Sequence, residues 1–218
     1  MRRIPNVIKE YYFKKFSQYK DTPKGVDWAD LYSQYMRFEY IYKFLENYLY
    51  KKPKIKILDV GCGYGAFYDF ISTKVSTKVF EYYGVDLVAN MIKKAQERFP
   101  NIKENLFIGE FLELSFEKRS FDVVIASGIF NVKSDLETKD FYEYIKEVII
   151  KMYRISEFGI IFNTLSPSVN YKESHLFYPD FQEFFDFLYK GLSRDITIIT
   201  SYPLWELTYK VNRENNGK

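Results

Sequence analysis

The segment LDVGCGYGAF, residues 58–67, constrains the fold more than any other part of this chain. An apolar run ends there in Asp59, and Gly61, Gly63 and Gly65 follow at alternate positions. The next residues, AFYDFISTK, have the composition of a short helix. A buried strand followed by a glycine-rich turn and a helix places backbone N–H groups where they can face a ligand. The segment therefore predicts a ligand-binding turn within an α/β domain.

Downstream of Pro53, strand-like apolar runs alternate with segments of helical periodicity. The predicted strands are KIKILDV, VFEYYGVD, NLFIGEF, FDVVIAS, GIIFNT, DITIITSY and LWELTYKV. Between them the sequence predicts the helices AFYDFISTK, LVANMIKKAQERF, FYEYIKEVIIKMYRI and PDFQEFFDFLYKG. Such alternation implies parallel strands joined by right-handed crossovers. Only Pro203 separates the last two strands, so that pair must be antiparallel. The predicted fold is α/β: a Rossmann-like, seven-stranded, mostly parallel sheet with an antiparallel last strand and helices on both faces.

The first fifty residues have a different pattern, which predicts two amphipathic helices. The first carries an apolar face formed by Ile4, Val7, Ile8, Tyr11, Tyr12 and Phe16. The second should run from Trp28 to Tyr50, with a stripe of Leu31, Tyr35, Phe38, Ile41, Tyr42, Leu45 and Leu49. We interpret residues 1–50 as an N-terminal helical lid or cap and residues 51–218 as the main domain.

Composition excludes several classes of protein. The 32 basic and 29 acidic residues nearly balance, so net charge gives no general case for binding nucleic acid; the basic N-terminal segment is a local candidate. No stretch approaches the ~20 apolar residues of a membrane span, and the N-terminal segment lacks the apolar core of a signal peptide, so a cytoplasmic protein is expected. The single Cys62 excludes intramolecular disulfides and multi-cysteine metal sites, the single His175 excludes a histidine cluster, and no metal is expected. The oligomeric state is left open.

Two cofactors are compatible with the glycine turn. Gly61, Gly63 and Ala66 satisfy the dinucleotide fingerprint G-x-G-x-x-G/A. In a dinucleotide fold, however, a carboxylate at Asp59 would oppose the negative pyrophosphate. S-adenosylmethionine carries no phosphate, and its methionine end has an ammonium that a carboxylate can accept. Asp59 therefore favours the sulfonium cofactor.

At residues 28–212 the chain resembles the class I S-adenosylmethionine-dependent methyltransferases. LDVGCGYGAF is similar to their first motif, GVDLVANMIKKA to the second, IGEFLEL to the third and FDVVIASGIFN to the fourth. An antiparallel final strand is also a family feature. Where the third motif is usually Gly-Asp, this chain has Glu110 before Phe111. The resemblance implies that residues 51–218 form the methyltransferase domain and that these residues bind the cofactor: Asp59, Gly61, Cys62, Gly63, Gly65, Asp86, Leu87, Met91, Glu110, Phe111 and Ser127.

Arg37 has two interpretations. Many small family members place an arginine about twenty residues before the first motif, on a helix, where it binds the cofactor carboxylate. Bidentate guanidinium geometry suits that task. The alternative is an ordinary solvated arginine on the helix surface.

The sequence constrains the catalytic residue and the methyl acceptor less than it constrains the cofactor site. Methyl transfer can rest on alignment alone, although an O–H or N–H acceptor benefits from a base. His175 is the candidate base, and the alternative is a structural or simply exposed histidine. Six aromatic residues could line an acceptor site or merely pack in the core: Tyr11, Tyr12, Tyr19, Phe130, Phe177 and Tyr178.

The leading hypothesis is O- or N-methylation of a small-molecule acceptor. Three alternatives remain: an RNA or protein methyltransferase, a noncatalytic cofactor- or partner-binding module on this fold, and a nicotinamide-dependent oxidoreductase.

Overall fold

The fold predicted from the sequence is confirmed by the computed structural model, which describes residues 3–201 and 203–214. Seven strands form one sheet in the order β3-β2-β1-β4-β5-β7-β6. Neighbouring strands are parallel from β3 to β5, and β7 runs antiparallel to both β5 and β6. Tyr202, predicted to end a strand, and the chain ends 1–2 and 215–218 lie outside the described residues.

The elements follow one another as the sequence pattern predicts. The helices are α1 (Arg3–Tyr19), α2 (Leu31–Leu49), α3 (Ala66–Lys74), α4 (Ala89–Arg98), α5 (Thr138–Ile155) and α6 (Phe181–Gly191). The strands are β1 (Ile55–Val60), β2 (Phe80–Asp86), β3 (Leu106–Ile108), β4 (Phe121–Ala126), β5 (Ser156–Leu165), β6 (Ile196–Ile199) and β7 (Glu206–Asn212). Two short 3₁₀ helices, Pro23–Val26 and Pro100–Asn105, complete the chain. β3 is shorter than the predicted NLFIGEF strand.

Helices cover both faces of the sheet. One face packs against α5 and α6, and the other packs against α2, α3 and α4. Successive residues of β1 pack against opposite layers: Ile57 lies in the cluster with α2, α3 and α4, and Leu58 lies in the cluster with α5 and α6. This alternation follows from the two-residue period of a strand, and it explains the continuous apolar runs of the central strands.

The start of α2 differs from the prediction. α2 begins at Leu31 because Asp30 caps it: the Ser33 N–H donates to Asp30 Oδ1 at 2.8 Å, and the Asp30 N–H donates to Ser33 Oγ at 3.4 Å. Leu31 and Tyr35, predicted on the apolar stripe, are 54% and 39% exposed, so their assignment is wrong. Polar side chains of the first two turns are buried instead.

The two helices of segment 1–50 pack differently. α2 lies against α3 and the strands β4, β5 and β7, so it belongs to a helical layer of the main domain. α1 places Ile4 and Ile8 in the cluster that contains α5, and Phe16 stacks on Tyr64 with 6.4 Å between ring centroids. The lid therefore stays a prediction for α1 and the Pro23–Val26 turn.

Candidate functional site

The candidate site lies at the carboxyl ends of β1, β2 and β4, which are neighbours in the sheet. The N–H groups of Gly61 and Cys62 both donate to the carbonyl of Val85, at 2.8 and 3.1 Å, and so fasten the turn to β2. Gly61, Gly63 and Gly65 have φ angles of 79°, 55° and 82°. The predicted glycine turn thus has the left-handed backbone that its sequence requires.

Of the three turn glycines, Gly61 tolerates a side chain least. Besides its positive φ, a Cβ there would overlap the side chain of Ile129, in the loop after β4. Two segments far apart in the sequence therefore approach each other closely at the floor of the site.

A pocket that opens to solvent adjoins this turn. Ten of the thirteen predicted site residues line it: Asp59, Gly61, Cys62, Gly63, Asp86, Leu87, Met91, Glu110, Phe111 and Ser127. The sequence motifs that end four different strands thus meet in one cavity, which is the usual position of ligands in open α/β sheets.

Asp59 is a buried carboxylic group with one oxygen satisfied. Its Oδ2 accepts a hydrogen bond from the Tyr82 hydroxyl at 2.5 Å, whereas Oδ1 has no partner. Burial raises the pKa of Asp59 to about 7, and the nearby charge of Asp86 adds to the rise. A cationic donor that reached Oδ1 would satisfy the orphaned oxygen and favour the ionised acid.

Asp86 organises the backbone around it. One carboxylate oxygen accepts from the Gly63 N–H at 2.9 Å and the other from the Val88 N–H at 2.8 Å. Burial raises its pKa to about 6, against these two hydrogen bonds, which lower it. Each oxygen retains a second lone pair, so the carboxylate can still accept from a ligand hydroxyl.

Glu110 and Ser127 add further unpartnered atoms. Glu110 Oε1 accepts from the Leu112 N–H at 3.2 Å and the Tyr144 hydroxyl at 3.0 Å, but Oε2 is buried without a partner. Burial raises the pKa of Glu110. Ser127 Oγ is likewise buried and unpartnered. A ligand with donors at these positions would remove an energetic penalty that the protein alone carries.

Three predicted site residues do not line the pocket. Gly65 caps the N-terminus of α3, and His175 is exposed in a loop. Arg37 is 9% exposed, so the solvated-arginine interpretation is wrong. Its Nε donates to both carboxylate oxygens of Glu206, at 2.7 and 2.8 Å, and its guanidinium stacks on Trp28 at 3.7 Å from the ring centroid.

The predicted aromatic wall is present in part. Tyr12 and Phe130 line the pocket. Phe177 packs in the core instead, and Tyr11 donates from its hydroxyl to Asp27 at 2.7 Å. The four residues outside the lining are Tyr11, Tyr19, Phe177 and Tyr178.

Sequence reasoning missed the walls that come from the N-terminal third. Trp28, Gln34 and Phe38 line the pocket, together with Ile8 and Val26. The helical period was a usable signal, because Gln34 and Phe38 are four residues apart and therefore lie on the same face of α2.

Two further features are absent from residues 3–201 and 203–214. No group of three or more His, Cys, Asp or Glu side chains is arranged to hold a metal ion. No helix in those ranges is long and apolar enough to cross a membrane.

Comparisons with known proteins agree with this geometry. A methyltransferase-domain family profile matches residues 57–151. Rv1506c of Mycobacterium tuberculosis, whose name designates it a methyltransferase candidate, is 28% identical over 72% of this chain and 92% of that protein. Ribosomal RNA large subunit methyltransferase E of Brachyspira hyodysenteriae is 28% identical over 62% of this chain and 61% of that protein.

Solved structures share the fold. Magnesium protoporphyrin IX methyltransferase from Synechocystis, solved with bound S-adenosylmethionine, superposes with a TM-score of 0.64 over 96% of this chain and 97% of that one, at 13% identity. The family match covers the strand and turn that build the pocket, and the sheet order and pocket position fit the same family. The family match, the named relatives and the cofactor-bound neighbour together support a class I S-adenosylmethionine-dependent methyltransferase.

Proposed function

We propose that this enzyme transfers a methyl group to an oxygen or nitrogen of a small-molecule acceptor. The observation that carries the proposal is a pocket with largely apolar walls in which two buried carboxylate oxygens, Asp59 Oδ1 and Glu110 Oε2, lack partners. These oxygens fit a ligand with two separate donor groups. The aromatic and aliphatic side chains around them fit an enclosed reaction.

S-adenosylmethionine supplies an electrophilic methyl group on a sulfonium centre when it is bound. In our proposal Asp59 Oδ1 accepts from the ammonium of its methionine portion. Asp86 accepts from the ribose hydroxyls, and Glu110 Oε2 accepts from the amino group of adenine, beside Phe111. The departure from Gly-Asp in the third motif is then accommodated, because glutamate supplies the acceptor.

The residue proposed to bind the cofactor carboxylate differs from the one predicted from the sequence. Arg37, predicted for this role, is occupied by Glu206 and lies outside the pocket lining. Gln34 is one turn earlier on α2, is 3% exposed and lines the pocket, where its side-chain Nε2 donates to the Tyr64 hydroxyl over a long distance of 3.4 Å. We propose that the Gln34 side-chain amide donates to the cofactor carboxylate instead.

In this proposal the protein accelerates methyl transfer mainly by holding the acceptor atom in line with the methyl group. When bound, the cofactor would supply its methyl group to the lone pair of a deprotonated acceptor, and its sulfur would keep the electron pair of the carbon–sulfur bond. Trp28, Phe130 and Tyr12 would exclude water and hold the acceptor in line. His175 is exposed and outside the lining, which argues against it as the base. An acceptor with a readily lost proton fits best.

The charges of α1 argue against RNA as the acceptor. Lys14 pairs with Glu10 at 3.0 Å, and Lys15 pairs with Asp27 at 2.6 Å. Two of the basic residues in this segment therefore already have acidic partners. Ile8 and Tyr12 of α1 turn inward to the pocket, as a lid requires. The cytoplasmic location expected from the sequence stays a prediction.

The test begins with calorimetric titration of S-adenosylmethionine, S-adenosylhomocysteine and NAD. We expect the first two to bind and NAD not to bind, and a hundredfold excess over Kd should stabilise the fold by about 2.7 kcal/mol. NAD binding without S-adenosylmethionine binding would falsify the cofactor assignment. Transfer of a labelled methyl group is then scored against small-molecule extracts and total RNA in parallel. Labelled RNA with unlabelled small molecules would reverse the acceptor proposal, and no transfer to any acceptor would favour the noncatalytic module.

A further inference from the structure

A buried polar network behind the pocket has no part in the chemistry described above. Its centre is Glu206, at the start of β7, which is 2% exposed. Arg37 donates to both carboxylate oxygens through Nε, and its Nη2 forms a further ion pair with Oε1. Asn163 Nδ2 donates to Oε2 at 2.7 Å, and Asn131 Nδ2 approaches Oε1 at 3.5 Å. The carboxylate is thus saturated by three different segments of the chain.

Each branch of the network ends at a pocket wall. Through Arg37 it reaches Trp28, because the guanidinium stacks on the indole ring. Through Asn163 it reaches Gly128, whose N–H donates to Asn163 Oδ1 at 2.8 Å. Trp28 and Gly128 both line the pocket.

The two branches also meet each other. Gly128 has a φ of +77°, and a Cβ at this position would overlap the six-membered ring of Trp28. The indole therefore lies against bare backbone on the loop after β4 and under the Arg37 guanidinium. Displacing both supports would leave the ring unsupported, and both supports depend on Glu206.

We propose that Glu206 is a positioning residue, which holds Trp28 and the loop at Gly128 in the geometry that the cofactor pocket needs. It acts through Arg37 and Asn163 and does not touch the ligand. The inference deepens the proposed function and rests on it for the pocket's ligand, but the placement of Trp28 can be measured with no ligand present.

Tryptophan fluorescence tests this placement. The chain has two tryptophans, Trp28 and Trp205, and Trp205 is 61% exposed. A Trp205→Phe parent leaves Trp28 as the reporter. In that parent we compare Glu206→Gln with Thr164→Val, a control at a buried β5 residue next to Asn163. The measurements are acrylamide quenching of the ligand-free protein and the Kd for S-adenosylhomocysteine, below the unfolding transition.

We expect Glu206→Gln to raise the quenching constant of Trp28 about twofold and the Kd about tenfold, because a neutral amide cannot accept from all these donors. Thr164→Val should leave both values near those of the parent. Unchanged quenching, or raised quenching with an unchanged Kd, would overturn the proposal.

A second variant keeps the test decisive if Glu206→Gln does not fold. Arg37→Lys retains a positive charge beside Glu206 but removes the planar group that stacks on Trp28, so it should also raise the quenching. Quenching equal to the parent's would again overturn the proposal. If the parent itself fails to bind S-adenosylhomocysteine, that result counts against the proposed function, and the quenching alone then decides whether Glu206 positions Trp28.

Discussion

The two sides of the pocket are built in different ways. The turn side, at Gly61, Asp59 and Asp86, is formed by residues at the ends of the adjacent strands β1 and β2, and Asp86 accepts from the Gly63 and Val88 N–H groups there. The Trp28 side depends on the pair Arg37–Glu206, whose members are 169 residues apart. Turn residues must approach a ligand directly, whereas the Trp28 wall is held from behind. We expect mutations of the acidic residues on the first side to act on affinity and mutations of the second side to act first on stability.

The largest effect should follow from breaking the Arg37–Glu206 pair. Arg37→Met leaves a buried carboxylate without its cation, and removing one partner of such a pair costs about 3–5 kcal/mol. Arg37→Met/Glu206→Leu removes both charges and should be less destabilising than either single variant. Urea unfolding of the three variants measures this coupling. Strict additivity would contradict a shared buried pair.

The same contrast explains which parts were predictable from the sequence. Asp59, Gly61 and Asp86 lie in motifs whose spacing is set by single strand–turn–helix units, so sequence alone located them. The alternation of strands and helices likewise gave the sheet. Trp28 and Glu206 carry no local signature, because their roles arise only when the chain folds and a long-range ion pair is formed.

Gly61→Ala tests how much the stability of the turn depends on the close approach of Gly61 to Ile129. We expect a loss of about 2–4 kcal/mol, from overpacking against Ile129 and from the left-handed backbone. In the double variant Gly61→Ala/Ile129→Ala the overlap is removed, so part of the loss should return. Ile129→Ala alone is the control for the lost side chain. Denaturant midpoints measure all three, and no recovery in the double variant would show that Ile129 is not the obstacle.

Asp86→Ala should mainly affect the ligand. Losing a charged acceptor costs roughly 1.5–3 kcal/mol, which corresponds to about a 10- to 150-fold rise in Kd for S-adenosylhomocysteine. Asp86→Asn retains one acceptor oxygen and should lose less. Titration calorimetry on folded variants checks both. An unchanged Kd for Asp86→Ala would remove this residue from the site.

The pH dependence of binding tests Asp59. Its raised pKa, about 7 through burial, means that the ligand-free fold favours the protonated acid. This contribution to stability is complete below the ordinary pKa of 3.8 and is lost as pH rises through 7. A ligand ammonium requires the ionised form, so affinity for S-adenosylhomocysteine should rise about tenfold from pH 6 to 8. Asp59→Asn should flatten this rise and weaken binding at pH 8, and an unaltered profile would exclude Asp59 as its source.

The smallest expected effect concerns the outer surface of α1, which separates small-molecule from RNA acceptors. Since Lys14 and Lys15 are engaged with Glu10 and Asp27, the helix should hold RNA no more than weakly at physiological salt. Surface pairs of this kind contribute about 0–1 kcal/mol, so Lys14→Ala should leave stability and cofactor affinity almost unchanged.

Filter retention of total RNA between 50 and 200 mM salt, on the full chain and on Lys14→Ala, measures whether α1 binds RNA. A helix that grips phosphates would lose affinity steeply with salt, by a slope of about 0.9 for each contact, and Lys14→Ala would reduce that slope by about one contact. We expect a flat, weak response in both proteins, because α1 turns Ile8 and Tyr12 to the pocket as a lid and its Lys14 and Lys15 already have acidic partners.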